Sequence, residues 1–223
     1  MNTPSGLCQE LISSHCTSGS VQWWDEVLEA FAKPFSRKVF DLAFARAPRK
    51  IGASIIGPNM DQHQALSTDG LPSLDGRPIH ELARIVLILL AVPHMSHEEH
   101  IQLIDELFIR GDNAERIALL RALSLLPDPS RFLATAVEAC RTNVQTVFEA
   151  IACENPYPAR YFPELNFNQL VMKALFIGVS LRRIVDLSER ITPALRLMAG
   201  DHVKERIAAG RSMHDDTALI LNT

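Results

Sequence analysis

The sequence predicts an all-α fold, an irregular antiparallel helical array resembling a short HEAT/armadillo-like α-solenoid. Three observations carry that expectation. Apolar residues recur at separations of three and four, as in Leu82, Ile85, Val86 and Leu89, or Ile101, Ile104, Leu107 and Phe108. Helix-starting signals precede several such runs: Ser96 with Glu99, Asp112 with Glu115, and Thr192 with Pro193. Glycine and proline then separate short helices by tight turns, although no exact internal repeat is visible.

The N-terminal part, residues 1–50, opens with a short helix over Leu7–Ile12, followed by the cap-forming run SSHCTSGS. Trp23, Val27, Leu28 and Phe31 stripe a second helix that Pro34 interrupts. A third, Phe35–Ala45, is expected to expose Arg37, Lys38 and Asp41 and to bury Val39, Leu42 and Ala43. The Trp23–Trp24 pair is read as packing rather than as a lid, and no ladder of aromatics accompanies it that would stack nucleic-acid bases. Residues 51–77 form an irregular crossing loop in which Gly, Pro, Asp and Asn break up short apolar groups. Ile79–Val92 follows as a core helix.

The run PHMSHEEH brings His94, His97 and His100 together at three-residue steps. Zinc ligation is the sharp reading. Against it, Pro93 places His94 outside the helix that Ser96 starts, and HEEH lacks the four-residue histidine separation of HExxH metallopeptidases. A Ser96/Glu99 capping box explains the stretch without a metal, so no metal or cofactor is expected. Gly111 stops this helix, and Asp112 with Glu115 opens the next. Pro127-Asp128-Pro129 ends that unit, after which Phe132, Leu133, Ala136, Val137 and Cys140 carry a stripe.

The central stretch, 141–177, embeds polar side chains in two apolar helices joined by a proline-rich crossing. Val144, Val147, Phe148 and Ile151 stripe the first; Pro156 and Pro158 prevent an ordinary helix from continuing. The second starts near Pro163 and carries Phe167, Leu170, Val171, Ala174 and Ile177. At about 100° per residue, Asn143 and Glu154 point the same way from opposite ends of the first helix, and Gln169 and Lys173 lie one turn apart on the second. Two readings stand side by side. Either these groups line one ligand or partner surface, or Asn143 caps its helix, Glu154 and Asn155 bond the turn backbone, and Lys173 lies in water without a partner. Beyond this corner, Ser180 is expected to cap a helix containing Leu181, Ile184, Val185 and Ser188, with Arg182 and Arg183 on its exposed flank. Leu195, Met198, Ala199, His202 and Ile207 partly stripe a last long helix, and 212–223 reads as a short surface extension.

With 22 basic and 26 acidic residues, a formal charge of -4 offers no general nucleic-acid footprint. The four cysteines, Cys8, Cys16, Cys140 and Cys153, form no CxxC pair, and a chain of 223 residues with 47% hydrophobic content can build its core without disulfides, which points to a reducing, cytoplasmic setting. The start lacks the layout of a secretion signal, and the apolar run Ile85–Val92 is far shorter than the roughly 20 residues of a membrane span, so no transmembrane segment is expected.

ARIVLILL at 83–90, LLRALSLLPDP at 119–129, the long run at 139–179 containing NPYPARYFPELNFNQ, and ERIAAGR at 205–211 resemble the EboA-like family, covering most of residues 78–211 as an EboA-like helical core. The resemblance implies an intracellular bacterial accessory protein encoded with enzymes of a secondary-metabolite pathway and a prenyltransferase-like membrane protein, in a system that moves an aromatic precursor or product towards the periplasm. Contact with that membrane protein would leave the chain peripheral to the inner membrane through a partner. The family pattern is retained at Asn143, Glu149, Glu154, Asn155, Arg160, Asn168, Gln169 and Lys173, the candidate ligand- or partner-binding residues; no reaction is assigned to the family. The leading expectation is a non-catalytic adaptor or small-molecule-binding accessory protein. The alternative is an enzyme acting on an aromatic metabolite, with Glu149 or Glu154 handling protons and Lys173 stabilising developing negative charge.

Overall fold

In a computed structural model, which describes residues 5–57 and 73–222, the protein is all-α. Its elements are α1 (Ser5–His15), α2 (Ser18–Phe31), α3 (Arg37–Ile51), α4 (Ile79–Ala91), α5 (His97–Arg110), α6 (Asn113–Ala122), α7 (Leu133–Ala139), α8 (Gln145–Ala152), α9 (Tyr157–Tyr161), α10 (Glu164–Ile177), α11 (Pro193–Ala208) and α12 (Ala218–Leu221), with short 3-10 turns between several of them. Among the described residues the helices range from four to sixteen residues, no repeating unit is shown, and no helix is long and apolar enough to cross a membrane. Most of the expected crossing loop, 58–72, lies outside the described residues. Its ends are pinned together where Ile56 N–H donates to Arg77 O and Ile79 N–H to Ser54 O, both at 2.8 Å. The chain divides into two compact units, Met1–Thr135 and Ala136–Thr223.

The first unit is built around α4, which packs against α1, α3 and α6. Ten of its thirteen residues are buried, so apolar side chains on every face find neighbours rather than the single broad face expected from its stripe. Two charges are buried with them. Glu81 meets Arg121 at 2.8 Å, while Arg84 meets Glu115 at 3.3 Å and donates from Nε to Phe44 O at 3.0 Å. Burial pushes the Glu81 carboxyl up and pulls the Arg84 guanidinium down, and their partners oppose both shifts. In α3 the buried stripe is Phe40, Ala43, Phe44, Ala47 and Ile51; Val39 is half-buried and Leu42 is 43% exposed, which corrects the expected face. The helix runs on to Ile51, longer than expected, because Phe44, Ala47 and Ile51 continue the apolar spacing.

Both capping boxes form as expected. Ser96 and Glu99 exchange backbone bonds at 3.3 and 2.7 Å, and Asp112 and Glu115 do so at 2.8 and 3.1 Å. The neighbouring histidines have structural contacts: His94 stacks on Phe35, and buried His100 donates from Nε2 to Val92 O at 2.6 Å.

In the second unit, Val147, Phe148, Ile151, Tyr157, Phe167, Leu170, Val171 and Ala174 supply the core. α10 ends at Gly178, whose φ of 77° closes the helix as Val179 N–H returns to Ala174 O at 2.9 Å. Four expectations are corrected here. A five-residue helix, α9, forms within the proline crossing, since Pro158 occupies its first turn, where a missing N–H costs nothing. The helix expected after Ser180 is instead two 3-10 turns, Leu181–Arg183 and Ser188–Arg190, separated by Asp186 at φ 52°, a left-handed conformation that no helix continues through. The tail is not merely superficial: Asp216, Thr217 and Ile220 are buried, and Asp216 accepts from Ser180 Oγ at 2.6 Å and Leu181 N–H at 2.8 Å. The cap of this turn therefore comes from a carboxylate 35 residues away rather than from Ser180 itself. In α11 Thr192 caps as expected, by accepting from Leu195 N–H, but Ile207 is 63% exposed and outside the core.

Candidate functional site

The polar groups of the central corner separate into two assemblies. One is an ion cluster. Arg183, at the end of the first 3-10 turn, donates from Nε and Nη2 to the two carboxylate oxygens of Glu154 at 2.6 and 3.0 Å, and from Nη1 to Glu149 Oε2 at 2.6 Å. Glu154 N–H also donates to Arg183 O at 2.8 Å. Glu154 can take part because it stands just beyond α8 at φ 49°, which turns its side chain out of the helical path. The two carboxylates hold the Arg183 guanidinium well above its ordinary value. The planar fork of an arginine suits this bidentate grip.

The other assembly is centred on Lys173. Its Nζ donates to Cys140 O at 2.5 Å and Thr142 O at 2.6 Å, and lies 4.9 Å from the Phe148 ring centroid. This overturns the alternative in which Lys173 lies in water unpartnered. The ammonium ties α10 to the turn between α7 and α8, and burial pulls its pKa below the ordinary lysine value. Beside it opens a cavity of about 310 Å³, lined by Val137, Cys140, Arg141, Phe162, Asn166, Gln169, Leu170 and Lys173. Phe162 and Leu170 form buried walls, whereas Arg141 and Gln169 are exposed at the rim. Burial pushes the Cys140 thiol up to about 12, so at neutral pH it is an un-ionised wall group, unsuited to nucleophilic attack.

The remaining candidates are dispersed. Asn155 is buried and structural, donating to Ala150 O at 2.9 Å and accepting from Tyr157 N–H at 3.0 Å, as the turn-bonding alternative has it. Asn168 is buried beside Thr192, 3.5 Å from its hydroxyl. Asn143 and Arg160 are exposed, and Asn143 does not cap α8: the cap position belongs to Val144, whose N–H donates to Thr142 Oγ1 at 3.1 Å. Asn143 and Glu154 therefore do not share a helical face, since both stand outside Gln145–Ala152. Gln169 and Lys173 do share a cavity, as their one-turn spacing implies. Glu149 and Glu154 are not among its lining residues.

Sequence reasoning missed Arg183, placing it on an exposed flank, and Arg190. Arg190 donates to Ala159 O and to Phe162 O, the latter at 2.8 Å, and lies 4.4 Å from the Phe167 centroid, stapling the proline crossing to the segment before α11. Partners some 30 residues away leave no local periodic signal. A second hollow in this unit, about 440 Å³, is a groove walled by Leu181, Ile184, Leu187, Ile191 and Leu219, with Arg182, Asp186 and Ser188 also lining it. The Lys173 cavity, lined by two cations and two amides beside apolar walls, is the better candidate for polar recognition within an apolar enclosure than this groove with its one arginine, one aspartate and one serine.

No curated protein and no solved structure matches the chain. Residues 5–220 match the family described as Metabolite traffic protein EboA, so the match extends through the N-terminal helices as well as the central corner. By that coverage, the chain belongs to the EboA family.

Proposed function

We propose that the protein is a non-catalytic accessory protein that binds a small molecule in the cavity beside Lys173. The observation that carries this reading is the enclosure itself: about 310 Å³, apolar walls from Val137, Phe162 and Leu170, and amide and cationic groups converging from Asn166, Gln169, Arg141 and Lys173. That combination of volume and sparse polar groups is what small-ligand sites have. The family's description as a metabolite traffic protein agrees with a role in handling a metabolite. Within this proposal the protein acts in the cytoplasm, in a secondary-metabolite pathway that exports an aromatic precursor, and its helices serve as a short solenoid-like scaffold.

The competing enzymatic proposal needs Glu149 or Glu154 to move protons at a substrate beside Lys173. Support for the non-catalytic reading comes from both carboxylates being engaged by Arg183 and from their absence from the cavity lining. Turnover in the reconstituted pathway, lost on Lys173 substitution while folding is kept, would decide for the enzyme.

An adaptor role has its own observation. Leu165 (63% exposed), half-buried Met172 and Phe176 (74% exposed, its ring 6.0 Å from that of His202) recur with Gln169 at four, three and four residues along α10, a partly exposed stripe of the type that docks on another protein. The proposed partner is a pathway enzyme or the prenyltransferase-like membrane protein. Replacing Phe176 with Ser should then abolish co-purification with it, and unchanged co-purification would remove the stripe from the interface.

The test of the cavity is affinity selection from a small-molecule extract of the producing cells, read by mass spectrometry. The parent should retain a species that the Gln169→Trp variant, with its cavity mouth filled, does not. Equal retention by both would refute binding there.

A further inference from the structure

Resting on the reading that the cavity beside Lys173 binds a small molecule, we infer that its ligand is a small organic anion, with an apolar body against Phe162 and Leu170 and one acidic head against Lys173 and Arg141. The lining is electrically one-sided. It contains two cations, two amides and no carboxylate, in a chain whose formal charge is -4. Arg141 meets Glu138 at 2.8 Å, where both side chains are more than half exposed and the pair is therefore weak. Arg141 can leave such a partner for a ligand at little cost.

Lys173 is the stronger recognition group. An ammonium has three donors, and two are spent on Cys140 O and Thr142 O at 2.5 and 2.6 Å. Those two bonds fix the stem, so the ammonium charge is positioned at the cavity wall before binding. The Asn166 and Gln169 amides provide further donors, and Cys140, as an un-ionised thiol, adds no negative charge. A cationic ligand would meet two like charges here; a neutral one, though its oxygen can accept from the ammonium, would bring no counter-charge to the two cations. The volume of about 310 Å³ is at the lower end for ligand cavities, which favours one compact ring system over an extended chain.

Four probes separate these properties: 2-naphthoate, 2-naphthamide, 2-naphthylmethylammonium and acetate, titrated into the full chain by ligand-observed NMR. 2-Naphthoate is expected to bind at least about tenfold more tightly than the amide, the scale of one charge-assisted hydrogen bond. The ammonium probe and acetate should bind weakest, lacking the charge and the apolar body respectively. Arg141→Gln, at a 71% exposed side chain, should fold normally and narrow the naphthoate-to-naphthamide ratio, and Gln169→Trp should block all three naphthyl probes. If the amide binds as tightly as the carboxylate and Gln169→Trp blocks both, the cavity reading stands and the anion inference fails. If no naphthyl probe binds, or Gln169→Trp changes nothing, the cavity reading falls and the inference with it.

Discussion

Lys173 illustrates how one side chain can be structural and still serve a ligand. Its sequence context allows replacement by Met to keep the helix, since stem volume and helix propensity are similar. Its two carbonyl partners change that expectation: removing the ammonium leaves Cys140 O and Thr142 O without their donor in a part-buried turn. Lys173→Met should therefore cost about 1–3 kcal/mol of stability in urea unfolding. Lys204→Met is the control, because Lys204 is 77% exposed and meets only Asp201 within its own helix turn, so its change should stay within about 0.5 kcal/mol. Equal stabilities for the two variants would show that the Lys173 bonds contribute nothing. Arg183 poses the opposite case, a cation whose loss removes a charge partner from two carboxylates. Arg183→Gln is expected to destabilise by about 1–2 kcal/mol, a figure reduced for the partial exposure of all three side chains. Adding Glu149→Gln and Glu154→Gln should restore part of that loss, and a strictly additive triple variant would contradict the coupling.

Among the elements, the α5–α6 turn depends on Gly111 for space rather than for backbone freedom. Its φ of -66° is open to any residue, but a Cβ there would stand 2.3 Å from Leu107 O and 3.2 Å from Glu115 Cβ. Gly111→Ala must displace backbone at the point where Glu115 caps α6 and pairs with Arg84, so a loss of about 1–3 kcal/mol is expected, read as a lowered urea midpoint. An unchanged midpoint would mean that the turn relaxes freely. The tail shows a pH-dependent counterpart. Hydrogen bonds from Ser180 Oγ and the Leu181 backbone hold the Asp216 carboxyl below its ordinary value. A depressed carboxyl stabilises the fold above its unfolded pKa of about 4, and that contribution disappears as the pH falls through the lower folded value. Asp216→Asn should cost about 1 kcal/mol at pH 7, as loss of a cap does, and the gap to the parent should close between pH 4 and strongly acid conditions. A gap independent of pH would remove the charge of Asp216 from the explanation.

For the molecule as a whole, helix identity and many helix starts were legible because their causes are local: apolar side chains three and four apart, a Ser, Asp or Thr at the start, and a Glu or Pro placed to complete the cap. Ser96, Asp112 and Thr192 all act as these rules require. What stayed hidden depends on distant chain. Nothing around Ser180 reveals that Asp216 will cap the turn, and nothing around Glu154 reveals a left-handed backbone meeting Arg183. The candidate site was legible in the same proportion. The one-turn spacing of Gln169 and Lys173 placed them correctly on one cavity, whereas Glu149 and Glu154 belong to the Arg183 cluster, Asn155 to a turn, and Asn143 and Arg160 to the exposed surface. Metabolite binding in that cavity is tested most directly by methyl NMR of the full chain as a small-molecule extract of the producing cells is added. The expected result is saturable shifts of the Val137 and Leu170 methyls, which line the cavity, with the Leu187 and Leu219 methyls of the second hollow unmoved. Shifts confined to Leu187 and Leu219, or no saturable shift at all, would contradict it.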